Sequence, residues 1–415
     1  MNKLTGSSVR SAVRAVNHRT HPRGTVSMFT TDDALDTQAA VRRANLRRAL
    51  QLVFQASGTQ TRAGIARATG LTAATSSSLV AELIDSRLVV EGEQAVSTGG
   101  KRATTLSVDG AHHLILVLVV QPTSAHVALV ALDGTALDAR TVAYTPATRD
   151  RVLDDTVAEA AARFGARLLA VGVQLPGTTD GRTVLESVQL EWQDVPLAER
   201  FEAIAGAPVL LLNDVDAEAI AEAGMDETPS GYRLFVHLGG GVGAAVTLDG
   251  ELAPGPRDRA GEIGHVQVVF GDAARPCRCG QRGCLESAAA LGPMLGEDFT
   301  DELDLPAVRA LVARADQGQI DEGARALARA VKLISALLDP IEVVIGGPAT
   351  ELGPRFLERV REESGYPARG TQQPPIRYAD PRVPLSAGAA QAALTAALGV
   401  RWSPQQLRAA AAPRP

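Results

Sequence analysis

Five apolar runs, each stopped by glycine, proline or a polar pair, set what this 415-residue chain can fold into. "HLILVLVVQPTSAHVALVALDG" (113–134) reads as two strands turning near Pro122. "LLAVGVQLPG" (168–177) is a buried strand halted by Pro176 and Gly177, and "VLLLND" (209–214) is another, followed by the helical run "DAEAIAEAGM". A second round follows. "RLFVHLGGGVGAAVTLDG" (233–250) is strand, glycine turn and returning strand, and "IEVVIGG" (341–347) leads through a loop into the helical "LGPRFLERVREES". Two rounds of hairpin, strand and helix predict a duplicated α/β architecture of two lobes with a cleft between them. Ligands of such folds sit beyond the carboxyl ends of the strands, here Asn213–Asp214, Gly239–Gly243 and Gly346–Gly347.

Length alone predicts more than one domain. Apolar content of 45% and charged content of 21% are globular values, and the net charge of −6 gives no bulk attraction to nucleic acid. Any contact with DNA must come from a local basic patch, built mostly of arginine because the only lysines are Lys3, Lys101 and Lys332. No run reaches the roughly 18 apolar residues of a membrane span, so no membrane partner and a cytoplasmic location are expected. The first 27 residues carry Lys3, Arg10, Arg14, Arg19 and Arg23 without a carboxylate and without the apolar core of a secretory signal. Residues 1–36 are read as a disordered basic arm, with Met28 a plausible true start.

Between 37 and 108 the pattern changes. "VRRANLRRALQLVFQASG" has helical spacing at Ala44, Leu46, Ala49, Leu50, Val53 and Phe54 and ends at Ser57–Gly58. Thr61 is placed to cap a short helix that stops at Gly70, and Thr72 to cap the next, with Leu79, Val80, Leu83 and Ile84 on its buried side. Two short helices about a Gly70–Leu71 turn form a helix-turn-helix pattern. Leu88–Glu91 and Arg102–Val108 read as two strands of a wing. A plain three-helix bundle with a hairpin is the blander alternative. Thr72, Thr75 and Ser77 on the second helix suit close approach to DNA but lack bidentate base readers. Arg62, Lys101 and Arg102 are candidates for phosphate contact, or for reaching the minor groove from the wing.

"CRCGQRGC" holds every cysteine of the chain: Cys277, Cys279 and Cys284. An odd number in eight residues opposes a closed disulfide framework and favours soft metal ligands on one loop, with Gly280 and Gly283 supplying backbone freedom. The nearest fourth ligand is His265 in "AGEIGH". Glu262 and His265 are three residues apart and would share a face of a helical turn.

From 112 to 400, "VQLPG", "LEWQDVPL", "LLNDVDAEAIAE", "LGGGVGAAVTLDGELAPG", "AGEIGH", "CRCGQRGCLE" and "EVVIGG" together resemble the ROK family (repressor, open reading frame, kinase). The first unit resembles the winged-helix heads of the repressor branch. The resemblance implies an actin-like (RNase H-like) sugar-kinase-type fold of two lobes behind a winged helix-turn-helix domain, with 401–415 left as a flexible tail. It also implies a structural zinc ion held by His265, Cys277, Cys279 and Cys284, with no open position for water. Sugar hydroxyls would meet Asn213, Asp214, Glu262, His265 and Glu286. In the family's kinases the aspartate matching Asp214 is the general base, and helix capping is a second role open to it.

Two departures separate this chain from the kinases it resembles. The first hairpin of those enzymes turns through an Asp-Ile-Gly-Gly-Thr type sequence, whereas here the turn is Gln121–Pro122–Thr123–Ser124, lacking the carboxylate and one N–H. The usual Gly-Thr-Gly of the second loop is Gly239–Gly240–Gly241. Asp216 and Gln189 also replace asparagines and bear on which sugar is taken. The expectation is therefore a DNA-binding transcriptional regulator, a homodimer or tetramer on double-stranded operator DNA, whose kinase-like domain binds a sugar without phosphorylating it. Asp214 is then a vestigial base. The alternatives are an ATP-dependent, glucokinase-like sugar kinase carrying a DNA-binding domain, and a regulator whose effector is a protein.

Overall fold

A computed structural model describes residues 37–56, 58–94, 103–227, 230–253, 255, 260–301, 303–365 and 373–409. The basic arm over 1–36 and the wing residues Lys101 and Arg102 lie outside the described residues.

The chain begins with a helical head. Helix α1 (Thr37–Gln55) supports α2 (Arg62–Thr69) and α3 (Ala73–Asp85), and strands β1 (Gln60–Thr61), β2 (Val89–Gln94) and β3 (Thr104–Val108) pair in the order β1-β3-β2. Local chemistry explains the boundaries. The Thr61 hydroxyl accepts from the Gly64 N–H at 3.0 Å and starts α2, and Gly70, left-handed at φ 73°, ends it. Thr72 accepts from the Thr75 N–H at 3.1 Å and starts α3. The first wing strand starts one residue after the expected Leu88 and runs three past Glu91, and the second starts two residues after the expected Arg102 and ends at Val108 as expected. The unforeseen β1 is the third member of their sheet.

The first lobe is built on β4 (Leu114–Val120), β5 (Ser124–Ala131), β6 (Ala136–Ala143), β7 (Leu168–Leu175) and β11 (Val209–Asn213), in the order β11-β7-β4-β5-β6. The hairpin β4–β5–β6 is antiparallel, whereas β7 and β11 join in parallel. Helices α4 (Arg149–Phe164) and α5 (Leu197–Ala205) cover one face, and a small sheet of β8 (Thr178–Thr179), β9 (Val184–Ser187) and β10 (Trp192–Val195) hangs beside it. Helix α6 (Asp214–Ala223) leaves directly from the end of β11.

The second lobe repeats the scheme. Strands β12 (Tyr232–Leu238), β13 (Val242–Leu248), β14 (Glu251–Leu252), β15 (Glu342–Gly346) and β16 (Ile376–Tyr378) form the order β14-β13-β12-β15-β16, again an antiparallel hairpin extended by parallel strands. Helices α7 (Glu286–Ala289), α8 (Leu291–Leu295), α9 (Leu305–Val312), α10 (Gln317–Leu338) and α11 (Gly353–Ser364) surround it. The duplicated two-lobed α/β fold is as expected.

Helix α12 (Ala387–Leu398) carries the chain back onto the first lobe, where its alanine-rich surface packs against β4, β7, β11 and α6. The segment from 401, expected as a flexible tail, is instead ordered through 409. Trp402 is 4% exposed and donates its indole N–H to the Leu132 carbonyl at 2.8 Å, and α13 (Pro404–Ala409) buries Leu407. A residue as large and apolar as Trp402, with its one polar atom satisfied, gains more from burial than the chain loses in order. Residues 410–415 lie outside the described residues. One apolar cluster contains Leu46, Leu50 and Val53 of the head, Ile115 and Val117 of β4, and Leu394, Trp402 and Leu407. The head is therefore packed into the first lobe's core.

Candidate functional site

Between the lobes lies a solvent-open cleft. Gly177–Thr179, Asn213 and Asp216 line it from the first lobe, and Gly243–Val246, Ala260, Gly261 and Glu262 from the second. Asn213 closes β11 and caps α6, its amide oxygen accepting from the Val215 N–H at 2.8 Å while its nitrogen donates to the Gly177 carbonyl at 2.8 Å. The capping role considered for Asp214 thus belongs to Asn213, because the strand ends one residue earlier. Glu262 is exposed in the cleft wall and precedes the short 3-10 turn Ile263–His265.

Asp214, half-buried, is not in the lining of this cleft; Glu218 stands one helical turn on and His237 near the end of β12. Burial pushes the Asp214 carboxyl up to about 6; His237 opposes the shift and Glu218 adds to it. Burial by itself would lower His237, but the Glu218 carboxylate, 2.9 Å from Nδ1, and then Asp214 and Asp301 outweigh it and raise the imidazole to about 9. His237 is accordingly an imidazolium at neutral pH, held against the glycine turn by its own carboxylates.

Glu286 is also outside the cleft lining. Its carboxylate pairs with Arg278 at 2.8 Å and approaches the Val242 N–H at 3.4 Å, so it is held under the Gly241–Val242 backbone. Sequence reasoning missed Glu218, His237, Arg278 and Asp301. Glu218 stands four residues from Asp214, and His237 two before the glycines, so both carried a readable signal; nothing local marks Asp301.

The cysteine loop assembles as expected. Ligand atoms of His265, Cys277, Cys279 and Cys284 all lie within 4.8 Å of one another. The Cys277 Sγ–His265 Nδ1 and Cys279 Sγ–Cys284 Sγ separations are both 3.6 Å. Tetrahedral zinc with Zn–S of about 2.3 Å and Zn–N of about 2.0 Å spaces its ligands by roughly 3.5–3.8 Å, so the donor set fits that ion. Gly280 and Gly283 take φ of 87° and 76°, and a Cβ on Gly283 would stand 1.9 Å from the Val269 carbonyl oxygen. Only glycine closes this loop. His265 sits in the cluster and not in the cleft lining, so its two expected roles separate: Glu262 faces the cleft, His265 the cysteines.

On the head, Ser77 is exposed on α3. Thr72 and Thr75 hydroxyls bond each other at 2.9 Å, and Arg62 pairs with Glu91 of β2 at 2.5 Å. That ion pair fixes α2 to the wing and competes with the phosphate contact expected of Arg62.

The model of the family described as "ROK family" matches residues 121–396. A xylose repressor from Caldicellulosiruptor bescii is 28% identical over 331 residues, covering 72% of this chain and 82% of that protein. A glucokinase from Halalkalibacterium halodurans is 28% identical over 218 residues, covering 47% of this chain and 66% of the enzyme. The crystal structure of a ROK family transcriptional regulator, described as a homolog of the E. coli MLC protein, superposes with a TM-score of 0.68 at 22% identity, over 89% of this chain and 98% of that one, and speaks for the fold alone. With the family's pattern matched across both lobes, cleft and cysteine loop included, this chain belongs to the ROK family.

Proposed function

We propose that the chain is a sugar-responsive DNA-binding regulator, a repressor of carbohydrate-utilisation genes, whose kinase-like body binds sugar without phosphorylating it. The observation that carries this reading is the apolar cluster shared by head and first lobe, which makes the cleft and the DNA-binding unit parts of one packed body. Asn213, the backbone of Gly177 and the exposed Glu262 would meet sugar hydroxyls, and Asp214, next to Asn213 at the start of α6, would join them on closure. Sugar changes DNA affinity only by as much as its affinity differs between open and closed lobes.

The turn between β4 and β5 supports the loss of phosphoryl transfer. Gln121 and Ser124 close it on themselves, and the Tyr144 hydroxyl donates to the Gln121 and Ser124 carbonyls at 2.8 and 2.6 Å. The turn's own residues, Gln121–Ser124, include no carboxylate that could hold a nucleotide's metal ion. Zinc would be held by His265, Cys277, Cys279 and Cys284 and would brace the Glu262–His265 turn beside the cleft; with all four positions filled by protein it supplies no Lewis-acid step. Thr72, Thr75 and Ser77 would approach operator DNA, with Arg62 on the phosphates once freed from Glu91.

One observation favours the kinase reading. Asp214, with its carboxyl raised to about 6, is tuned as a general base. Incubation with MgATP and a panel of hexoses and pentoses separates the two. The regulator reading expects no turnover above that of Asp214→Asn, together with a raised melting temperature for at least one sugar. Sugar-dependent ADP release by the wild type alone would establish the kinase.

A further inference from the structure

In the turn Gly239–Gly241 the Gly239 N–H bonds the Gly241 carbonyl at 3.0 Å, and the Gly240 N–H points outward, where an anion can accept from it. That place is already taken. The Asp301 carboxylate, from the segment joining α8 to α9, accepts from the Gly240 N–H at 2.6 Å. Asp301 is exposed, but the segment that carries it is anchored: Phe299, two residues earlier, is 9% exposed in the second lobe's core, and α8 ahead of it is tied to the same turn by the Leu291 N–H donating to the Gly239 carbonyl at 2.8 Å.

Gly240 and Asp301 are sterically interdependent. A Cβ on Gly240 would stand 2.3 and 2.6 Å from the two Asp301 oxygens and 2.7 Å from its carboxyl carbon. Gly240 is not among the glycines with positive φ, so its backbone accepts a side chain; the Asp301 carboxylate is what stands in the way. His237 adds to the filling. Its ring faces both Gly239 and Gly347, with Nε2 and Cε1 at 2.8 and 2.7 Å from where their Cβ atoms would be. Its charge is met by Glu218 on one side and by Asp301 on the other.

We propose that Asp301 is a specificity-determining residue: a built-in anion that occupies the Gly239–Gly241 turn and thereby bars phosphate groups, those of nucleotides included, from that turn. A phosphate entering the turn must displace a carboxylate already bonded to the N–H it needs, and must do so against that carboxylate's negative charge. Uncharged sugars, which bind on the Asn213 and Glu262 side, are not opposed. This exclusion concerns only the Gly239–Gly241 turn and stands whether or not sugar controls DNA binding.

The test is titration calorimetry of the full chain with MgADP and, separately, inorganic pyrophosphate. Wild type is expected to give no binding up to millimolar concentrations. Asp301→Ala removes the carboxylate, and Asp301→Asn removes its charge while keeping a side chain of the same size, so each is expected to bind at least ten-fold more tightly. Two results overturn the proposal: wild-type affinity equal to that of the variants, or both variants keeping the wild-type melting temperature while still failing to bind either anion. A sugar thermal-shift panel on the same proteins reads the regulatory function separately. Loss of sugar binding with gain of anion binding would sink that function and leave this inference intact.

Discussion

His237 shows how one residue's setting turns a readable sequence position into an unreadable charge state. The sequence places it two residues before the glycines, but its protonation depends on Glu218 and Asp301, 19 residues before it and 64 after, which only the fold brings together. Its folded value of about 9 lies above the ordinary 6.5, so the native state holds a proton that the unfolded chain releases. Stability from this site is complete below pH ~6.5 and is lost as pH rises through about 9. His237→Gln is expected to flatten that part of the curve. Melting temperatures between pH 6.5 and 9.5 should fall more steeply for wild type than for the variant, and parallel curves would contradict the assignment. Asp214 tells the complementary story: its place at a strand end was legible, while the burial that raises it to about 6 was not.

At the scale of elements, whatever depends on neighbours in sequence was legible. Thr61, Gly70 and Thr72 bound the helices of the head because caps act within four residues. The cysteine loop was legible for the same reason, since its glycines and ligands lie within eight residues and His265 only twelve before Cys277. Cys279→Ser leaves three ligands, and zinc measured by elemental analysis is expected to fall from one per chain to well below one, with a lowered melting temperature. Wild type without stoichiometric zinc would remove the brace beside Glu262. The missed helix α13 carried a signal that the alanines and prolines of the tail obscured. "SPQQ" is a capping sequence, and the Ser403 N–H donates to the Gln406 side chain at 2.9 Å while the Gln406 N–H approaches Ser403 Oγ at 3.3 Å. Strand β1, two residues long, had no periodicity to read.

Across the whole molecule, the return of the chain from the second lobe to the first decides how head and cleft communicate, and no local pattern announces it. Helix α6 begins at the cleft, and Gly388 of α12 lies so close to it that a Cβ would stand 1.8 Å from the Ala217 carbonyl oxygen. Helix α12 then leads to Arg401, whose N–H and carbonyl both bond the Gln51 side chain of α1, at 2.8 and 2.9 Å. Cleft, α6, α12 and head are thus joined by packed backbone. Trp402→Ala opens the apolar cluster beside this junction and is expected to cost about 3–5 kcal/mol in chemical denaturation. It should also weaken any effect of sugar on DNA binding more than it weakens sugar binding itself. Equal loss of both would assign Trp402 to stability alone.

The most direct test is the affinity of the full chain for DNA from its own upstream region. Fluorescence anisotropy at fixed salt should be read with and without a sugar that raises its melting temperature, in the absence of nucleotide. At least a ten-fold change in Kd is expected on saturation with that sugar, and no further change on adding MgATP. An unchanged Kd at saturating sugar, or a change that appears only with MgATP, would contradict the regulator reading.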